Sequence, residues 1–166
     1  MRGDFGSEVF SVFQEKWDQT DEVWHNPKLA EDWVALRKVR GLANRAIEAA
    51  RKNKLIGSSL EAELDIYVSL ESRLGHLLKS HEKDLCQVCI TSRASVHDLG
   101  GAKAPVSDGE FEQTDVVAAF DNDTKATIVC RRSPLCKCPR CWNFHSVAVN
   151  TLCGRCDDVM ASVPQQ

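Results

Sequence analysis

Between residues 26 and 56, apolar side chains recur at the three-to-four-residue spacing of an α-helix. Asn26 can cap such a helix, Pro27 suits its first position, and Gly57 can end it. The apolar positions share one side of the helix, with Trp33 at its margin. They are Leu29, Leu36, Val39, Ala43, Ile47 and Ala50. The pattern therefore predicts one long amphipathic helix.

The spacing changes to alternation in residues 60–69, where apolar and polar side chains take turns as in a half-buried strand. Helical spacing returns in residues 69–84 through four leucines, and residues 85–92, LCQVCITS, predict a second strand. Two more strands are predicted at 115–120 and 126–131, on either side of the turn residues 121–124. Residues 93–114 are polar and contain Gly, Ala and Pro, which predicts a loop.

These elements predict an α+β fold in three parts. Residues 1–57 contain the long helix, residues 58–132 form a small α+β unit with three or four strands, and residues 133–166 form a cysteine-rich module. A chain of 166 residues with 43% apolar residues is long enough for one or two small domains.

Charge and hydropathy narrow the class of protein. A formal net charge of −3 restricts any nucleic-acid-binding surface to a local patch. The longest apolar run, 116–120, is far shorter than the roughly 20 residues that span a bilayer. The first ten residues lack the apolar core of a signal peptide. We therefore expect a soluble chain that is neither secreted nor bound to a membrane.

Four of the eight cysteines form two Cys-x-x-Cys pairs near the end of the chain, Cys138 with Cys141 and Cys153 with Cys156. Structural zinc takes four tetrahedral thiolate or imidazole ligands, and each short pair supplies two. Pro139 favours a tight turn in the first pair, as the glycine does in the second. A redox dithiol would explain one such pair better than two. The spacing predicts one structural Zn²⁺ per chain.

The other four cysteines have different predicted roles. Cys86 and Cys89 also form a Cys-x-x-Cys pair, but they lie in a predicted strand, where neighbouring side chains point to opposite faces. Such a strand lacks the tight turn, or knuckle, that directs two sulfurs to one metal ion. Burial of these two cysteines is therefore the simpler interpretation. Cys130 ends a predicted strand and is expected in the core. Cys136 is too far from Cys141 for a knuckle and is left out of the ligand set. In a reducing compartment, metal binding or burial explains cysteines better than disulfides.

Basic residues lie on two parts of the chain. Lys38, Arg45 and Lys52 are seven residues apart on the side of the helix opposite its apolar face. They form either an ordinary solvated face or a row of phosphate contacts. Near the metal pairs, Arg140 and Arg155 belong to a locally basic segment.

Aromatic residues directly follow the first cysteine pair, with Trp142 and His145 among them. Basic groups interleaved with exposed rings suit unpaired RNA, because guanidinium groups meet phosphates while rings stack on bases. The alternative is that Trp142 packs beneath the metal site and supports it. Both interpretations remain open at this point.

Three stretches of the chain resemble the C-terminal end of isoleucyl-tRNA synthetases, in the same order. They are KLIGSSLEAEL at 54–64, CQVCITS at 86–92, and the terminal CPRCW and TLCGRC. The resemblance runs from about residue 11 over nearly the whole remaining chain. It implies that residues 1–57 are the C-terminal part of a helical anticodon-binding domain, followed by a small α+β unit and a zinc-binding module.

The same resemblance implies a partner, namely the anticodon arm of isoleucine tRNA. It makes the four paired cysteines the zinc ligands, and it places the basic helix face on the tRNA side. The interval between the cysteine pairs is short and resembles the mitochondrial form. That favours the mitochondrial matrix slightly over the cytoplasm as the location.

The catalytic body of that family carries HIGH-like and KMSKS-like signatures for activating isoleucine with ATP, and neither pattern occurs in this sequence. We therefore expect a monomeric, inactive fragment of a longer synthetase. Two other functions remain open, a zinc-ribbon DNA-binding module and a zinc-stapled protein-interaction module. The acidic overall charge counts against the first of these.

Overall fold

A computed structural model describes residues 16–100, 109–120 and 122–162, together with Ser11, Phe13 and Ser107. Short 3-10 helices at Glu22–Trp24 and Ser59–Glu61 precede α1 and β1, respectively. The main elements are, in chain order, α1 Pro27–Lys52, β1 Ala62–Val68, α2 Arg73–Ser80, α3 Glu82–Cys89, β2 Arg93–Asp98, β3 Phe111–Ala119, β4 Asn122–Arg132, β5 Cys136–Lys137, β6 Phe144–Ser146 and α4 Gly154–Ser162. The predicted α+β class is confirmed.

The larger sheet has the strand order β2-β1-β4-β3. Its centre is β1, where Ile66 lies opposite Val96 of the parallel strand β2 and opposite Ile128 of the antiparallel strand β4. A parallel pair needs a long crossover, and α2 and α3 supply it between β1 and β2. Strand β3 pairs with β4 as a hairpin at the other edge. The strands β5 and β6 form a separate two-stranded sheet.

Helix α1 follows its predicted pattern closely. The side chain of Asn26 accepts a hydrogen bond from the Leu29 amide at 3.0 Å, and Pro27 occupies the first turn. The helix ends at Lys52, earlier than the predicted stop near Gly57, with Asn53 as its C-terminal cap. The buried face comprises Ala35, Leu36, Val39, Leu42, Ala43, Ala46, Ile47 and Ala50. At the start of the helix, the predicted apolar residues Leu29 and Trp33 remain about half exposed.

One hydrophobic core joins α1 to the sheet and to the two short helices. Val39 and Ile47 of α1 belong to the same buried cluster as Leu64 of β1, Leu78 of α2 and Ile128 of β4. Because α1 packs on the sheet, the described residues between 27 and 132 form one folded unit around this core. That α1 also closes a helical domain of a larger protein stays a prediction.

The prediction of a strand at 85–92 is wrong, because this segment begins in the helix α3. Glu82 anchors the start of α3 by accepting a hydrogen bond from the Val96 amide at 2.7 Å and by pairing with Lys79 at 2.8 Å. Leu85 and Cys89, four residues apart, then point to the core together. A short apolar run fits a helix or a strand equally well, and here packing decides between them.

The loop predicted for residues 93–114 is also partly wrong. Residues 93–98 form β2, in which Ala94 and Val96 are buried between more exposed neighbours. Strand β3 starts at Phe111, within the predicted loop, and β4 starts at Asn122, within the predicted turn. The hairpin turns at Phe120, whose φ of 60° is left-handed, and Asp121 lies outside the described residues. No helix in the described ranges is long and apolar enough to cross a membrane.

Candidate metal centre

The four paired cysteines meet at one point. The ligand atoms of Cys138, Cys141, Cys153 and Cys156 all lie within 4.8 Å of one another. The Sγ atoms of Cys141 and Cys153 are 3.7 Å apart. Tetrahedral zinc with Zn–S bonds of about 2.3 Å requires sulfur–sulfur separations of about 3.8 Å. The cluster therefore has the donor set and the dimensions of a four-thiolate metal site.

The first cysteine pair lies in the turn between β5 and β6. The Cys138 amide donates to the Asn143 carbonyl at 2.9 Å, and the Trp142 amide donates to the Cys138 carbonyl at 3.0 Å. Trp142 closes this turn with a φ of 66°, in the left-handed region. These bonds hold the backbone in a tight knuckle, which directs the sulfurs of Cys138 and Cys141 to the same side.

The second cysteine pair lies at the start of α4. The amides of Cys156 and Asp157 donate to the Cys153 carbonyl at 2.9 and 3.0 Å, so the knuckle continues directly into the helix. The Cys153 amide also donates to the Cys138 sulfur at 3.4 Å, which ties the two knuckles together. The first turn of α4 therefore directs the sulfurs of the second pair to one side, as the β5–β6 turn does for the first pair.

Backbone amides prepare this centre for a cation. Donation from the Cys141 amide, with further donation from the Cys153 and Arg140 amides, lowers the pKa of the Cys138 thiol to about 6 against the opposing effect of desolvation. Burial raises the pKa of Cys141 to about 12. The fold thus favours a thiolate at Cys138 and opposes one at Cys141, where a bound cation would offset the effect of burial. Arg140 approaches Cys156, with its Nη1 3.8 Å from the sulfur.

The remaining cysteines do not join the centre. Among the residues that the structure describes, the four paired cysteines form the one cluster able to hold a metal ion. Cys136 lies on β5 outside this cluster, in agreement with its exclusion. Cys89 and Cys130 are buried in the main core, where desolvation raises the pKa of each thiol to about 11. These two thiols are therefore inert core residues.

Two serines fasten the cysteine-rich module to the sheet. We call its described residues, 133–162, the metal-binding module, because their four paired cysteines could hold a metal ion. Ser92 accepts the Phe144 amide at 2.6 Å and donates to the Leu60 carbonyl at 2.6 Å. Ser133 donates to the buried Glu63 at 2.9 Å, and its hydroxyl lies 3.4 Å from the Phe144 carbonyl. Ser92 is the last residue of CQVCITS, one of the stretches that carry the family resemblance, whereas nothing in the local sequence distinguishes Ser133 from an ordinary turn residue.

An ionic cluster lies beside this junction on β1, β2 and β4. Arg131 contacts Asp65 through Nη1, and its Nε lies 3.5 Å from Glu63. His97 Nε2 lies 2.9 Å from Asp65 Oδ1. Both carboxylates are 5% exposed, so their charges require these partners. Arg131 is thus engaged in the sheet by these two carboxylates.

The predicted helix contacts are exposed on α1. Lys38, Arg45 and Lys52 all lie on its solvent side. Arg45 is paired with Asp115 of β3 through a contact of 2.5 Å, in which both side chains are more than half exposed. Exposed pairs of this kind contribute only about 0–1 kcal/mol. Asp115 is therefore a weak competitor for any anion that approaches Arg45.

The predicted contacts on the module differ from one another. Trp142 is 60% exposed, and Lys137 Nζ lies 4.9 Å from the centre of its ring. A shallow depression of about 480 Å³ is lined by Trp142, Lys137 and Arg132. His145, by contrast, directs Nε2 at the Ser92 carbonyl, so part of its ring is used in the junction. Arg140 and Arg155 are exposed.

No protein-family model matches the chain. Over 161 residues, 94% of the chain, it is 34% identical to the isoleucine–tRNA ligase of Caldanaerobacter subterraneus subsp. tengcongensis. It is also 34% identical over 162 residues to the isoleucine–tRNA ligase of a Nostoc species. This chain is homologous to a segment of the isoleucine–tRNA ligases.

The similarity to isoleucine–tRNA ligases extends to further bacteria. The enzyme of Haemophilus influenzae is 37% identical over 129 residues, which is 75% of this chain. The chain covers 16% of the length of the ligases from Caldanaerobacter and Nostoc and 12% of that from Haemophilus. These matches support the C-terminal region of an isoleucine–tRNA ligase as the part to which the chain corresponds.

Proposed function

We propose that this chain is the C-terminal tRNA-binding part of an isoleucine–tRNA ligase and binds the anticodon arm of isoleucine tRNA. The homology over 94% of the chain is the observation that carries the proposal. The rest of such a ligase would activate isoleucine with ATP and attach it to the tRNA. By itself, the chain should show no isoleucine-dependent pyrophosphate exchange. Exchange above that of a heat-killed sample would overturn the fragment hypothesis.

We further propose that the metal is one structural Zn²⁺ per chain, held by Cys138, Cys141, Cys153 and Cys156. The sulfur separation and the all-thiolate donor set support zinc. The bound ion would supply the positive charge that neighbouring thiolates need. In that state the β5–β6 turn and the start of α4 are crosslinked into one unit.

In this proposal the RNA is held mainly through its phosphates. The contacts are Lys38, Arg45, Lys52, Arg140 and Arg155. Trp142 offers an exposed ring on which one unpaired base can stack, and His145 adds the part of its ring not used in the junction. Each neutralised phosphate should add about −0.7 to the slope of log K against log salt for loop RNA.

The deciding experiment measures binding at low salt to a synthetic anticodon arm of isoleucine tRNA and to a DNA duplex of similar length. Preference for the RNA arm supports the proposal. Preference for the duplex would indicate the zinc-ribbon DNA-binding function instead. Binding to neither would leave the zinc-stapled protein-interaction module as the better account.

Trp142→Ala separates base stacking from structural support. If the ring stacks on a base, affinity should fall by about 1–3 kcal/mol while zinc stays bound. Trp142→Phe is the matched control, since it keeps an aromatic face at the same position. Simultaneous loss of zinc and RNA binding would instead make Trp142 a support for the knuckle.

We also propose that the chain is monomeric and acts in the mitochondrial matrix or the cytoplasm, with the matrix favoured. A fluorescent fusion of the full-length protein would distinguish the two compartments. Sedimentation of the zinc-loaded chain, alone and with the RNA arm, would test the oligomeric state.

A further inference from the structure

A second cleft lies where the metal-binding module meets the sheet domain, which consists of the helices α1–α3 and the strands β1–β4 around one core. It encloses about 360 Å³, within the range of pockets that hold small ligands, roughly 300–1,000 Å³. Leu60, Gln87 and Ile90 line it from one side. Asn143 and Arg155 line it from the module, beside two cysteines of the metal centre, Cys141 and Cys153. Trp142 does not line this cleft, so the cleft is distinct from the shallow depression beside the Trp142 ring.

The junction holds the two walls of the cleft at a fixed separation. Ser92 and His145, which fasten the module to the sheet domain, both line it. The cleft is therefore a feature of the docked module, and neither part has it alone. A preformed site of this kind binds a ligand without first having to order its walls.

Ile90 introduces strain at the rim. It ends α3 with a φ of 56°, and its side chain is 52% exposed. A left-handed conformation costs a residue other than glycine about 1–3 kcal/mol, and steric crowding makes it least favourable for a β-branched side chain. Burial of the side chain does not offset this cost in the free protein. Strained residues concentrate at binding sites, where the strain positions a group for its ligand.

The polar groups of the cleft are available to a ligand. Within the described part of the chain, the side chains of Gln87, Asn143 and Arg155 have no hydrogen-bond or ion-pair partner. None of the described residues that line the cleft carries a carboxylate, and the charge of the lining thiolates Cys141 and Cys153 would be offset in part by the bound metal ion. Each amide offers both donors and an acceptor, which is what the edge of a nucleobase requires. A guanidinium matches a phosphate.

We propose that this cleft binds one unpaired RNA nucleotide. Its base lies against Leu60 and Ile90, with its edge on Gln87 and Asn143, and its phosphate meets Arg155. This rests on the proposed RNA-binding function, and it adds a second base-binding position beside that at Trp142. The amides would read the identity of the base, whereas a stacked tryptophan accepts any base.

The test uses the full zinc-loaded chain and synthetic anticodon arms of isoleucine tRNA in which each unpaired nucleotide is made abasic in turn. With the unaltered protein, at least one abasic position should lower affinity by about fivefold or more. In Gln87→Ala and in Asn143→Ala, the penalty at one such position should shrink, while penalties at other positions remain. This coupling identifies the base that contacts the amides.

Two further variants complete the test. Arg155→Gln should flatten the salt slope by about 0.7, whereas the amide variants should leave it unchanged. Asn44→Ala removes an exposed amide on α1 outside the cleft and should preserve every abasic penalty. Zinc content is measured for each variant. Because Gln87 lies on α3 outside the metal-binding module, its variant decides the outcome even if Asn143→Ala disturbs the metal.

The outcomes are distinguishable. If the RNA arm binds but no abasic penalty depends on Gln87 or Asn143, the cleft proposal is wrong and the proposed function stands. In that case a peptide should be tested as the ligand of the cleft instead. If no RNA arm binds at all, the proposed function fails and the cleft proposal fails with it.

Discussion

The sheet domain and the metal-binding module are built on different sources of stability. The sheet domain buries apolar side chains from α1, α2, α3 and the four-stranded sheet in one core. The buried cluster of the module consists of three cysteines, with Cys141 and Leu152 packed against it. Hydrophobic burial can therefore stabilise the sheet domain, whereas the module lacks the apolar surface to fold by the same means.

The contacts between the two regions follow from this difference. Ser92, Ser133 and Glu63 join them through hydrogen bonds. Polar junctions of this kind fix geometry, because each bond has a required direction and distance. The module can therefore lose its own structure without exposing the apolar core of the sheet domain. Three predictions test this independence, and a fourth concerns an exposed ion pair on the sheet domain.

The largest effect is expected from Cys153→Ser, which removes one ligand from the module. Structural zinc contributes about 10–16 kcal/mol of apparent binding free energy in small zinc-binding peptides. The variant should lose the metal, and residues 133–160 should lose amide-exchange protection while β1 and β4 keep theirs.

Cys136→Ser is the matched control, since this thiol lies outside the cluster. It should retain one metal ion per chain in elemental analysis. Loss of metal from both variants would show that the ligand set is misassigned.

The next effect is expected from Leu64→Ala in the centre of the sheet. Leu64 is 1% exposed, and truncation of such a residue costs about 2–5 kcal/mol. Urea unfolding followed by circular dichroism should show this loss, with the metal content unchanged in the folded protein. If Leu64→Ala released the metal more readily than the unaltered protein does while the sheet is still folded, the two regions would not be independent.

A smaller effect is expected from Ser92→Ala at the junction. The Phe144 amide and the Leu60 carbonyl would each lose a partner, at a cost of about 1–3 kcal/mol. Amide exchange should accelerate in β6 first, with the metal still bound. Ser80→Ala is the control, because its hydroxyl bonds only the nearby Leu77 carbonyl on α2.

The smallest effect concerns the exposed pair on α1 and β3. Asp115→Asn should raise affinity for the RNA arm by a few-fold at most, because exposed ion pairs contribute about 0–1 kcal/mol. Arg45→Ala should act in the opposite direction and flatten the salt slope by about 0.7. If Asp115→Asn changes affinity equally in the presence and absence of Arg45, the pair does not compete with RNA.

The sequence alone was sufficient for α1, for the position of β1 and for the grouping of the four paired cysteines. It did not show that Glu63 and Asp65 of β1 are buried, because a half-buried strand was predicted. Helical spacing with Asn26 and Pro27 at its start is a local signal, and so is the alternation through Leu64 and Ile66. The two cysteine pairs are local as well, because each knuckle is made within four residues. Features that depend only on residues close together in the sequence can be predicted without the tertiary structure.

Contacts between distant residues determined the rest. The helix α3 replaced a predicted strand because Leu85 and Cys89 pack together on the core, with Glu82 bonded to β2. The same kind of contact ties His145 to Ser92, in the junction that lines the cleft. Each of these contacts joins residues on different elements, and their hydrogen-bonding and packing partners cannot be identified from periodicity or spacing along the chain.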